Sequence, residues 1–239
     1  MNNKIALITW ASSGLGKEFA KIHASKSWDV IIVARRWDKL LELKKELESE
    51  YKVNVTIIEK DLTEKNAWEY IYNHVKDLWL EVDYLINNAG FWDLWDFIDG
   101  DMDLYSNMIQ LNITVLTQLT SLYVKNFVKK DSGKILNISS TAALIPGPGH
   151  AVYFATKAYV SSFSEALTME LSNTNVSVTS LLPWATKTEF WEKSGMDKTD
   201  LFSKAASSYD VAFDWYNAML ENKINIISGL DFKNTLLLK

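Results

Sequence analysis

The 239-residue chain has no cysteine, three prolines and only nine glycines. Without thiols there is no disulfide framework, no thiolate metal site and no cysteine nucleophile, and a reducing compartment is compatible with the composition. No metal site is expected. Acidic residues outnumber basic ones 30 to 25, a formal net charge of −5, which argues against a nucleic-acid or anionic-membrane surface as the partner. Met1 to Lys4 runs straight into strand-like Ile5 to Thr9, with no apolar stretch long enough for a signal peptide or membrane span. A cytoplasmic location is therefore expected. Glycine is about 4% of the chain against a usual share of roughly 7%, while tryptophan reaches ten.

With 48% hydrophobic residues the chain is long enough to bury one sizeable core, and residues 1–239 read as a single domain. Apolar strand-length runs alternate with helical stretches: Ile5 to Thr9, then Gly14 to Ser27; Val30 to Ala34, then Asp38 to Tyr51; Val53 to Ile58, then Glu64 to Leu78. Tyr84 to Ile86, Ile135 to Ile138, Val176 to Leu181 and Ile224 to Ile227 bring the strands to seven. β-branched strands that are apolar on both faces predict an α/β, Rossmann-like doubly wound domain: a seven-stranded parallel sheet with helices on both faces. Thr63 with Glu64 to Asn66 predicts the start of the third helix, and Leu40, Leu41, Leu43 and Leu47 mark the buried stripe of the second. Glu189 to Asp214 is polar, has no strand signal and reads as a substrate lid.

The first strand runs into Thr9-Trp10-Ala11-Ser12-Ser13-Gly14-Leu15-Gly16 and then a helix, a turn in which a pyrophosphate can meet backbone N–H groups at the helix's positive end. Two glycines alone are a weak signal. Tyr153 and Lys157 stand four apart, so on a helix the ammonium lies near the phenol and is expected to lower its pKa, giving an acid/base nearer neutrality. Tyr72 and Lys76 have the same spacing. Thirteen residues before Tyr153 stands Ser140, whereas thirteen before Tyr72 stands Glu59, so the Tyr72 pair is the decoy.

At these residues the chain resembles the short-chain dehydrogenase/reductase family. Thr9 to Gly16 is similar to that family's TGxxxGxG turn, Asn87-Asn88-Ala89-Gly90 to its NNAG segment, and Pro183 with Thr188 to its PGxxxT. Asn112, Ser140, Tyr153 and Lys157 match its catalytic tetrad in order and spacing. The resemblance implies hydride transfer between a nicotinamide and a small-molecule carbonyl or secondary alcohol. It gives Tyr153 the proton, Ser140 a hydrogen bond to the substrate oxygen, Lys157 the ribose hydroxyls, and Asn112 a water linking Lys157 to solvent. Asn112 also reads as a helix-kinking residue with a satisfied side chain. Cofactor contacts are implied at Thr9, Ser12, Ser13, Gly14, Leu15, Gly16, Asn88, Ala89, Gly90, Tyr153, Lys157, Pro183 and Thr188. Asp61 and Leu62 are similar to the family's adenine contact, and Asp61 reads equally as a turn cap before Thr63.

Arg35 and Arg36, the only arginines in the chain, end the second strand where an acid would select NAD. A guanidinium there pairs with the 2′-phosphate of NADP, so NADP (NADPH) is expected over NAD. Apolar residues on more than one face of the helices near Asn112 and Val152 (Leu116, Leu119, Leu122, Val124; Tyr159, Phe163, Leu167), with the resemblance, imply a homodimer or homotetramer.

Two departures are severe. Trp10 stands at the family's first turn glycine and Trp184 at the glycine of PGxxxT, while Trp28, Trp79, Trp92 and Trp95 also occupy glycine-like places; Trp68 and Trp215 read as ordinary helix tryptophans. Either glycines have been replaced by tryptophans, or the cofactor pocket is obstructed. The second option keeps open a rival reading, a non-catalytic dinucleotide-binding or regulatory protein of the same fold. A glycine-loop methyltransferase has no use for Ser140, Tyr153 and Lys157 together.

Overall fold

The computed structural model describes residues 3–184, 186–188 and 205–228. Seven strands form one sheet: β1 (Ala6–Thr9), β2 (Val30–Ala34), β3 (Val55–Glu59), β4 (Tyr84–Asn87), β5 (Gly133–Ile138), β6 (Val176–Pro183) and β7 (Asn225–Ser228). Every pairing is parallel, in the order β3-β2-β1-β4-β5-β6-β7. The order reverses between β1 and β4. A ligand crevice is expected outside the carboxyl ends of the strands at that point.

The strand sequences dictate this burial. β1 and β2 are buried along their whole length, as strands covered on both faces must be. One core layer, including Phe19, Leu40, Leu43, Leu47, Trp215 and Met219, fills the side carrying α1 (Gly14–Ala24), α2 (Trp37–Tyr51) and α7 (Ser208–Leu220). The other, with Ile71, Val75, Leu119, Tyr123 and Phe127, lies under α3 (Ala67–Asp77) and α5 (Leu116–Lys129). Helices α4 (Met102–Ile109) and α6 (Ala151–Glu170) complete the α-helices among the described residues, and a π-helical segment, Gln110–Val115, joins α4 to α5.

Three local expectations are corrected. The third helix begins at Ala67, not at Glu64, because the Asp61 carboxylate accepts from both the N–H and the hydroxyl of Thr63 (2.9 and 2.8 Å) and takes that hydroxyl out of capping. Of the expected lid, residues 189–204 lie outside the described residues, but Ser208 to Asp214 belongs to α7, whose Val211 and Ala212 are core. In the turn before β2 the left-handed residue is Ser27 (φ 62°), not Trp28, whose ring instead stacks on Tyr84 at 5.7 Å.

Candidate active site and cofactor cleft

A cavity of about 530 Å³ opens at the carboxyl ends of the central strands, within the usual size of a small-molecule site. Its walls come from the turn after β1 (Ser12 to Leu15), the end of β2 (Arg35, Arg36), the segment after β3 (Asp61, Leu62), the segment after β4 (Asn88, Gly90), and Ser140, Tyr153, Lys157, Pro183 and Thr188. Residues as far apart in sequence as Ser12 and Thr188 thus meet because parallel strands all point their carboxyl ends the same way.

Four of the expected contacts do not line the cavity; they build it. The buried Thr9 hydroxyl accepts from the N–H groups of Asn88 and Ala89, both at 3.0 Å, tying the end of β1 to the end of β4. Asn88 returns a bond from Nδ2 to the Thr9 carbonyl at 3.0 Å. Gly16 lies where any Cβ would sit 2.4 Å from the Trp10 carbonyl oxygen and 2.6 Å from Asn88 Nδ2, so only glycine lets α1 start this close to the strand ends. Asn112 is fully buried in the π-helical segment: Nδ2 donates to the Phe91 carbonyl (2.9 Å) and Thr156 Oγ1 (3.0 Å), and Oδ1 accepts from the Phe91 N–H (3.0 Å). Both of its N–H groups are used. The side chain braces the Gly90-Phe91 segment, as its satisfied-side-chain reading held.

At the catalytic end, Ser140 follows β5 and hydrogen-bonds Tyr153, while Lys157 Nζ sits 5.7 Å from the centre of the Tyr153 ring and donates to the Ile138 carbonyl at 2.9 Å. Neighbouring Ser139 turns inward and donates to the Lys157 carbonyl at 2.8 Å. Burial pushes the Tyr153 phenol up to about 12, opposed by the Ser140 hydrogen bond, and pushes Lys157 down to about 8. The expected depression of the Tyr153 pKa is therefore absent here. Desolvation outweighs the Ser140 hydrogen bond, and the phenol holds its proton at neutral pH.

At the other end, Arg36 donates to Ser12 Oγ at 3.3 and 3.4 Å, and Arg35 reaches Asp61 at 3.5 Å. Asp61 is held below the ordinary carboxylate range: burial raises it, but the Thr63 and Arg35 bonds prevail. Its carboxylate is a turn cap, the other of the two readings of Asp61. The Arg35 guanidinium also lies 5.7 Å from the Trp10 ring centre, and Trp10, Trp92 and Trp184 all line the cavity. Sequence reasoning missed Phe91, Leu104, Asn107, Leu111 and Thr186 on its walls. Residues 104, 107 and 111 share one helical face, a spacing that signals them once the crevice is located.

A dinucleotide fits the donor set. Ser13, the α1 N-cap, makes no side-chain cap bond, and it lines the cavity with the first helical residues Gly14 and Leu15 and the two arginines.

The short chain dehydrogenase family model matches residues 4–199, and the chain belongs to that family. It is accordingly an NAD(P)-dependent oxidoreductase that moves a hydride between nicotinamide and a carbonyl or alcohol. It is 33% identical over 211 residues to the 17-beta-hydroxysteroid dehydrogenase type 3 of Mus musculus, covering 85% of this chain and 68% of that protein. It is 33% identical over 195 residues to the NADP-dependent 3-hydroxy acid dehydrogenase of Schizosaccharomyces pombe, covering 80% of this chain and 74% of that one. Among solved structures, a short-chain dehydrogenase from Sphingobium yanoikuyae in complex with NADPH superimposes with a TM-score of 0.87 at 30% identity, over 94% of this chain and 87% of that one. Among the described residues, no helix is long and apolar enough to cross a membrane, and no group of three or more histidines and carboxylates is placed to hold a metal.

Proposed function

We propose that the protein is an NADPH-dependent carbonyl reductase acting on a small-molecule ketone or aldehyde, with Tyr153 as the proton donor. The observation that carries this reading is the Ser140–Tyr153 hydrogen bond beside Lys157, in the same cavity as Arg35 and Arg36. A bound nicotinamide supplies the hydride. Tyr153, protonated at neutral pH, gives its proton to the substrate oxygen, and the direction of its shift suits reduction better than oxidation. Ser140 donates a hydrogen bond to that oxygen and orients it. Lys157, cationic below about pH 8, stabilises the phenolate left behind and binds the ribose hydroxyls. Ser12, Ser13, Gly14 and Leu15 hold the diphosphate.

The preference for NADP rests on the two guanidiniums and on the lack of an acid at the end of β2; the NADPH in the Sphingobium structure and the cofactor named for the Schizosaccharomyces relative agree with it. Exposed Tyr159, stacked on Phe163 at 5.8 Å, and exposed Met169 on α6 support a twofold assembly through that helix. The charge balance and composition support a cytoplasmic location.

The test is NADPH oxidation against a panel of small ketones and aldehydes, run beside a direct NADPH titration. Turnover with NADPH exceeding that with NADH supports the reading. Tight NADPH binding with no turnover on any carbonyl supports the binding-protein reading instead.

A further inference from the structure

We infer that residues 10 and 79 are glycines in the protein that its own cells make. The backbone carries the inference. Trp10 has φ 55° and Trp79 φ 56°, both in the left-handed region, where a bulky side chain is a conformational outlier and glycine is at ease. The other non-glycine residues at positive φ, among those described, are Ser27, Lys52, Asn66, Asp131 and Asn222, most of them the short polar types that tolerate it; these two are the only aromatics.

Each position also has glycine's job. Trp79 follows α3, its N–H donating to the Lys76 carbonyl (3.0 Å) and that of Leu80 to the Val75 carbonyl (3.2 Å). This pair of bonds is the Schellman ending, whose left-handed residue is usually glycine. The Trp79 indole is 91% exposed and stabilises nothing there. Trp10 bends the chain out of β1, with its carbonyl oxygen against Gly16, and its indole stands in the cavity beneath Arg35. Glycine at both places also moves a glycine-poor, tryptophan-rich composition toward the usual one.

Not every tryptophan qualifies. Trp28 has ordinary backbone and packs between His23 (5.2 Å) and Tyr84 (5.7 Å), so it stays tryptophan and serves as an internal control.

The experiment is peptide mass mapping of the protein isolated from its source cells. Trypsin cuts at Lys4, Lys17, Lys26, Arg35, Lys76 and Lys125, releasing residues 5–17, 27–35 and 77–125. Expected is a 5–17 peptide lighter by one tryptophan-to-glycine difference, fragment spectra of 77–125 that place glycine at 79, and a 27–35 peptide at its tryptophan mass. Tryptophan at 10 or at 79 overturns the inference, and so does glycine at 28. Because the readout is covalent, it stands apart from whether the protein reduces carbonyls.

Discussion

Two helices of this protein carry a tyrosine four residues before a lysine, and only one of the two pairs lines the cleft. On α3, Tyr72 accepts a hydrogen bond from the Asn126 amide at 3.0 Å on an outer face, and Lys76 is exposed to water. On α6, Lys157 is buried beside Tyr153, which bonds Ser140 at the end of β5. Spacing puts a phenol and an ammonium on one helical face in both cases. What differs is the company: a strand end that delivers a serine, a cavity, and enough burial to move both pKa values.

The sharpest way to break that contrast is to remove the cation. Lys157→Met is expected to lower kcat by roughly 10²-fold or more and to weaken NADPH binding, because the phenolate loses its counter-charge and the ribose its donor. Steady-state kinetics with a cofactor titration check both. With Lys157 at about 8, the ammonium is present below that pH and lost above it, so kcat/KM for reduction is expected to fall as pH rises through about 8. A profile flat to pH 9.5 contradicts the assignment.

At the other end of the same cleft, Arg35→Asp is expected to move the NADP-to-NAD preference by roughly tenfold or more, about 1.4 kcal/mol, by replacing a phosphate partner with an acid suited to a 2′-hydroxyl. The kcat/KM ratio for the two cofactors reads it directly.

A third titrating group lies outside the cleft and is expected to change stability without touching the chemistry. Burial pushes His23 down to about 4; Nε2 faces the Lys4 carbonyl at 3.0 Å and Nδ1 the Tyr216 hydroxyl. The folded pKa lies below the ordinary 6.5, so the stabilisation is full above about pH 6.5 and is lost as pH falls toward 4. The whole effect is on the order of 3 kcal/mol. Urea unfolding across that range should show the slope in the native protein and a shallower one in His23→Gln. The smallest effect is expected at the decoy: Lys76→Met should leave kcat and NADPH affinity within about twofold.

The sheet was legible because β-branched runs buried on both faces have few alternatives: all seven strands appear within two residues of where periodicity puts them. That Ser140, Tyr153 and Lys157 share one cavity was legible because the serine thirteen residues before the tyrosine separated this pair from Tyr72 and Lys76. Other features depend on tertiary context. Asp61's capture of Thr63 moved a helix start, and the π-helical turn is what buries Asn112 against Phe91. The sign of the Tyr153 shift depends on desolvation, which only the packed site supplies. Trp10 and Trp79 were conspicuous in sequence, but their left-handed backbone is visible only in three dimensions.

The most direct test of the contrast between the two helices is the kcat of Tyr153→Phe and Tyr72→Phe, measured together for NADPH-dependent carbonyl reduction with the NADPH Kd of each protein in hand. Expected is a loss of roughly 10²- to 10⁴-fold in Tyr153→Phe at nearly unchanged Kd, with Tyr72→Phe indistinguishable from the parent. Most of the activity surviving in Tyr153→Phe, or an equal loss in Tyr72→Phe, contradicts the assignment of the proton to α6.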